Sequence, residues 1–144
     1  MRRPAPALVV DTAILIAVVL GRGSGALRVA GRDLSLLTTE RAVEEARRRM
    51  ELGMKRPDLL GKLDTLLADV TVVPTGEPTP VLDEAATCLR DAVASRNGST
   101  RDAHILALAW AADADVWTTD RDFAGAGVAT WSTPNLMRAL FEAT

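Results

Sequence analysis

The run Ala7-Leu8-Val9-Val10 is apolar at every position and stops on an acid, Asp11. A strand with one solvated face alternates apolar and polar side chains. An unbroken apolar run suits a strand covered on both faces, the inner position of a parallel sheet. Leu34 to Leu37, Val70 to Val73, Val116 to Thr118 and Val128 to Trp131 read as further strands. Helical segments fall between them. Thr12 to Leu20 is an apolar helix closed by Gly21, and Leu27 to Ala30 is a short second helix. Glu40 to Leu52 carries Ala42, Val43, Ala46 and Met50 on one stripe and is capped by Thr38 or Thr39. Asp58 to Ala68, Val81 to Ser95, Arg101 to Ala112 and Pro134 to Phe141 complete the set, with a turn-rich linker from Pro74 to Pro80. Strands alternating with helices predict an α/β three-layer sandwich around a central parallel five-stranded sheet. With 144 residues, the chain is expected to be a single domain over residues 1–144.

In such sheets the ligand crevice lies outside the carboxyl ends of the strands, where strand order reverses. This gives weight to acids at strand ends. Asp11 ends the first strand, and Asp120 ends the fourth, with Asp122 two residues later. Glu45 lies in the second turn of the helix after the second strand, and Asp102 in the first turn of the apolar helix before the fourth. Clustered carboxylates repel one another unless a cation neutralises them. Oxygen-only ligands suit Mg²⁺ or Mn²⁺ rather than zinc. Such an ion activates water and orients a phosphodiester, so hydrolysis needs no Ser, Cys or His nucleophile. Each acid also has a plainer role. Asp11 and Asp120 could cap helices, Glu45 could be solvated, and Ser99-x-x-Asp102 could be a capping box.

The net charge of −2 gives no global signature of nucleic-acid binding, so a polyanion would need a local basic patch or masking metal ions. The single cysteine, Cys88, excludes an intramolecular disulfide and a Cys-rich zinc site, and a reduced cytoplasm is its natural setting. The apolar stretch Ala7 to Leu20 is too short to span a bilayer and is interrupted by Asp11, so no membrane is expected. A haloacid-dehalogenase-type phosphatase would need an Asp at position 13, which is Ala. A Rossmann dinucleotide site would need glycines after the first strand, where Asp11-Thr12-Ala13-Ile14 has none.

Four stretches resemble the PIN-domain nucleases, whose bacterial members include the VapC-type toxins of toxin–antitoxin pairs. They are Val9-Val10-Asp11-Thr12-Ala13-Ile14-Leu15, Leu37-Thr38-Thr39 with Val43-Glu44-Glu45, Arg101-Asp102-Ala103-His104-Ile105-Leu106-Ala107-Leu108-Ala109, and Val116-Trp117-Thr118-Thr119-Asp120-Arg121-Asp122-Phe123. The resemblance runs from about Leu8 to Trp131. It implies strand order 3-2-1-4-5, one or two Mg²⁺ or Mn²⁺ ions, and cleavage of single-stranded RNA to a 5′-phosphate and a 3′-hydroxyl. It implies Asp11, Glu45, Asp102 and Asp120 as the catalytic acids, with Asp11, Asp102, Asp120 and Asp122 around the metal. For the second acid, Glu44 and Glu40 stay open beside Glu45. An antitoxin protein and a homodimer are the partners it implies. Ala13 departs from the family, which often has Asn or Ser there. A PIN-like binding or scaffold module that cleaves nothing is the alternative.

Other features have plainer readings. Arg47-Arg48-Arg49 with Lys55 and Arg56 reads first as a solvated helix face, with RNA phosphates as the second role. His104 reads as structural, and Cys88, Trp110, Trp117 and Trp131 as core residues. Thr118 and Thr119 could bond a metal-bound water or a phosphate, or simply favour a strand end.

Overall fold

The computed structural model describes residues 3–22, 24–75, 103–119, 123 and 127–142. Its strands are β1 (Ala7–Val10), β2 (Ser35–Thr39), β3 (Thr71–Val73), β4 (Asp115–Trp117) and β5 (Thr130–Trp131). They form one sheet of order β3-β2-β1-β4-β5. Every neighbouring pair is parallel, with Leu8 opposite Leu36, Val9 opposite Val116 and Val116 opposite Thr130. Leu8, Val9 and Val10 are fully buried. Successive side chains of a strand point to opposite faces, so β1 is covered on both sides, as its unbroken apolar run requires. The chain moves outward from β1 to β3 on one side, then returns for β4 and β5 on the other. The order therefore reverses between β1 and β4, and the carboxyl end of β1 lies at the switch point.

The described helices are α1 (Thr12–Val19), α2 (Ser24–Asp33), α3 (Glu40–Arg48), α4 (Leu59–Leu67), α5 (Ala103–Ala112) and α6 (Thr133–Glu142). Helix α1 packs against α3 and α4, α2 against α6, and α5 along β1, β2 and β4. α1 ends where Gly21 takes φ +88°, with Gly21 N–H on the Val18 carbonyl at 3.0 Å and Arg22 N–H on that of Ala17 at 2.8 Å. This paired closure needs a left-handed residue, which glycine supplies without Cβ strain.

β2 runs on to Thr39 and β5 is confined to Thr130–Trp131, and three further differences from the sequence-based expectation have a cause in the packing. Helix α2 runs from Ser24 rather than Leu27, because Ala26, Leu27 and Ala30 form one buried stripe that extends the helix into an apparent loop. Helix α3 gives way at Arg49–Gly53 to a π-helical turn, closed by Met54 N–H on the Arg49 carbonyl at 2.8 Å. The wider turn keeps Met50 fully buried while Leu52 is left exposed. Strand β4 starts one residue early, at Asp115. Its carboxylate Oδ2 accepts the Trp131 indole N–H and the Ala5 backbone N–H, both at 2.9 Å, so the half-buried acid is satisfied. The predicted helix Val81 to Ser95, most of the linker Pro74 to Pro80, and Cys88 lie outside the described residues. Trp117 is fully buried and Trp131 nearly so, while Trp110 packs half-buried against the core. The Trp117 indole donates to the Thr133 hydroxyl at 2.9 Å.

Candidate acidic site at the carboxyl edge of the sheet

Asp11 sits where β1 stops and α1 starts, and only 5% of it is exposed. Its extended backbone (φ −76°, ψ 158°) makes it the N-cap of α1. Oδ1 accepts the Thr12 N–H at 2.7 Å, and Oδ2 accepts the Thr118 hydroxyl at 2.6 Å. Its own N–H donates to the Trp117 carbonyl at 3.1 Å, which continues the β1–β4 ladder. Hydrogen bonds to a carboxylate are short and strong, and the amino end of a helix suits an anion. The capping role and a site role thus coincide: the backbone and β4 fix the carboxylate in one orientation.

For Thr118 the structure shows a partner that sequence reasoning did not name. It lies just past β4, and its hydroxyl donates to Asp11. It supplies from beyond the end of β4 a side-chain contact to Asp11, the kind that Ala13 cannot give. The sequence signal was the Thr-Thr pair at the strand end, which fixes a hydroxyl near the crevice but not its acceptor.

Thr12 connects Asp11 to Glu45. Its hydroxyl lies 3.4 Å from both the Ala42 carbonyl and Glu45 Oε2, so its single proton is shared between them. The other oxygen, Glu45 Oε1, receives Arg49 Nη2 at 2.6 Å. The Glu45 side chain is 26% exposed, whereas Glu44 and Glu40 are exposed on the outer side of α3. Of these three candidates, Glu45 is the one tied to the residue beside Asp11. Asp102, Asp120 and Asp122 lie outside the described residues. Among the described residues no three His, Cys, Asp or Glu groups gather in a metal-ligating cluster.

Helix α3 is held in place from its first turn. Thr39 Oγ1 accepts the Ala42 N–H at 3.0 Å, so Thr39 and not Thr38 is the cap. Thr38 instead donates to the Val10 carbonyl at 2.8 Å and ties the end of β2 to the end of β1. Thr39 Oγ1 also shares a 2.7 Å hydrogen bond with His104 Nδ1 on α5. His104 is 2% exposed, and its Nε2 has no hydrogen-bond partner among the described residues. Burial, then the Arg41 charge, push the imidazole down to about 4 against the weaker opposing pull of Glu45. A second ring proton would add an unmatched buried donor beside a cation. His104 is therefore a neutral bracket between α5 and the cap of the helix that carries Glu45.

The arginine run divides. Arg47 pairs with Asp64, Arg49 with Glu45, and Arg56 with Asp58. All three pairs are exposed enough for solvent to screen them, so none holds the fold together. Arg41, Glu44, Glu45 and Arg48 line a cleft of about 210 Å³ along α3.

A parallel α/β sandwich with a buried carboxylate at its switch point defines a class in which chemistry sits on the carboxyl edge of the sheet. The sequence matches the PIN domain family model over residues 9–141, and the chain belongs to that family, whose members are generally nucleases. No curated protein sequence matches it. Three solved structures are similar in fold. VapBC2 from Rickettsia felis, bound to a DNA fragment from its promoter, has 14% identity and a TM-score of 0.69, covering 88% of this chain and 98% of its own. FitAcB from Neisseria gonorrhoeae has 20% identity and a TM-score of 0.63, covering 90% and 99%. A toxin–antitoxin complex from Klebsiella pneumoniae has 21% identity and a TM-score of 0.58, covering 88% and 97%. No described helix is long and apolar enough to cross a membrane.

Proposed function

We propose that this chain is a metal-dependent endoribonuclease that hydrolyses phosphodiester bonds of single-stranded RNA, and that it is the toxin of a toxin–antitoxin pair. The observation that carries the reading is Asp11, a buried carboxylate oriented by two hydrogen bonds at the switch point, with Glu45 tied to it through Thr12. Asp102 and Asp120 complete the catalytic acids in this reading, and Asp122 joins Asp11, Asp102 and Asp120 around the metal. The donor set is all oxygen, which fits Mg²⁺ or Mn²⁺. When bound, the ion would supply Lewis-acid polarisation of the phosphate and a water of lowered pKa. The chain's own part is positional. Thr118 and the Thr12 N–H hold the Asp11 carboxylate in one orientation, and Glu45 stays accessible enough to meet a substrate. The similarity in fold to the toxin–antitoxin complex from Klebsiella pneumoniae supports an antitoxin protein as partner. A homodimer and a cytoplasmic setting complete the proposal.

Two outcomes test it. Glu45→Gln lowers the rate of RNA cleavage by on the order of a hundredfold, whereas Glu44→Gln leaves it within a few-fold, because only Glu45 reaches the residue beside Asp11. The reverse ranking would move the second acid to position 44. Saturating Mn²⁺ raises the melting temperature of the wild-type chain by several degrees, since a ligand at about a hundred times its Kd contributes about 2.7 kcal/mol. A melt indifferent to Mn²⁺ would favour a domain that binds no metal.

A further inference from the structure

We infer that Arg41 and Arg48 form a phosphate-binding subsite beside Glu45, which grips the backbone of the single-stranded polynucleotide on one flank of the acidic site. The inference rests on the nuclease reading and deepens it.

The cations around α3 sort into two sets. Arg47, Arg49 and Arg56 are each engaged with a carboxylate. Among the described residues Arg41 and Arg48 make no ion pair, although each has an acid four residues away, Glu45 and Glu44 respectively. Both guanidinium groups are exposed, and both line the cleft that also contains Glu45. They are seven residues apart, about two turns and roughly 10 Å along the axis, so they bracket Glu45 on the same side of the helix. A guanidinium carries a fixed fork of donors matched to phosphate oxygens. A cleft with two unengaged forks and one acid of the site in its wall suits a chain bearing an anion at every residue. Glu44 opposes this. Its carboxylate faces the same cleft, repels phosphate, and lies four residues before Arg48. Glu44 therefore limits the grip, and its removal has the opposite sign to removal of the arginines.

The test uses the full chain carrying Asp11→Asn, without divalent metal, so that binding is read apart from cleavage. The probe is a fluorescent single-stranded RNA, titrated by anisotropy across a range of KCl. Arg41→Gln with Arg48→Gln weakens binding by about tenfold at low salt and flattens the slope of log K against log salt by about 1.4, the contribution of two phosphates on a single strand. Glu44→Gln tightens binding several-fold. Arg22→Gln with Arg28→Gln, away from the cleft, leaves both quantities unchanged. Parental affinity and slope in the Arg41, Arg48 double variant would overturn the inference while leaving the nuclease reading intact. Loss of polyglutamate binding with RNA binding unchanged would also overturn it, assigning the pair to an acidic protein. Failure of the wild-type chain to cut RNA would instead remove the nuclease reading on which it rests.

Discussion

Asp11→Asn is expected to lower RNA cleavage by on the order of a thousandfold or more while the chain keeps its fold. The two side chains have the same shape. The amide oxygen can still accept the Thr12 N–H that caps α1, and the amide N–H₂ can donate to the Thr118 hydroxyl in place of the present bond. The packing of β1 is untouched, because Leu8, Val9 and Val10 hold the strand in the core. Only the negative charge at the switch point is lost, and with it the proposed attraction for a divalent ion. Single-turnover cleavage of a short RNA, beside thermal melts of both proteins, checks the expectation. Activity within tenfold of wild type, in a folded variant, would remove Asp11 from the chemistry.

The second large effect concerns stability against pH. The metal-free chain should lose about 3 kcal/mol through His104 as pH falls from about 6.5 to about 4. The direction follows from proton uptake. Above pH 6.5 the ring is neutral whether the chain is folded or unfolded, and the contribution is fully present. Between 6.5 and about 4 the unfolded chain takes up a proton that the folded chain refuses, so unfolding is favoured as pH falls. Below about 4 both states are protonated and the loss grows no further. His104 is the sole histidine of the chain, so its ring signals in a proton NMR titration of the untagged protein need no assignment. A midpoint near 4 is expected. A midpoint near 6.5 would mean that the ring is not held neutral between α5 and Thr39.

Much of the architecture was legible because it depends on local pattern. Unbroken apolar runs announce inner strands, and the stripe Ala42, Val43, Ala46 and Met50 announces the buried face of α3. Where the reading slipped, tertiary contacts decided. Ser24 and Gly25 look like loop residues until Ala26, Leu27 and Ala30 are packed. Asp115 looks too polar for a strand until two N–H groups converge on it. The π-helical turn at Arg49 has no sequence signature of its own. At the site, position at a strand end named Asp11, and the family resemblance named Glu45 with Glu44 and Glu40 open beside it. It could not supply the Thr12 hydroxyl that singles out Glu45, nor the Thr118 hydroxyl that locks Asp11. Those are pairings between residues 33 and 107 positions apart, and a helical or strand period carries no information about them.

The central claim is that Asp11 holds a divalent cation at the carboxyl edge of the sheet. Anomalous diffraction from crystals soaked in Mn²⁺ addresses it directly. The account predicts a peak bonded to Asp11, with Asp102 and Asp120 as its neighbours and Glu45 facing it. A manganese peak elsewhere, or none beside Asp11 at saturating Mn²⁺, would contradict it.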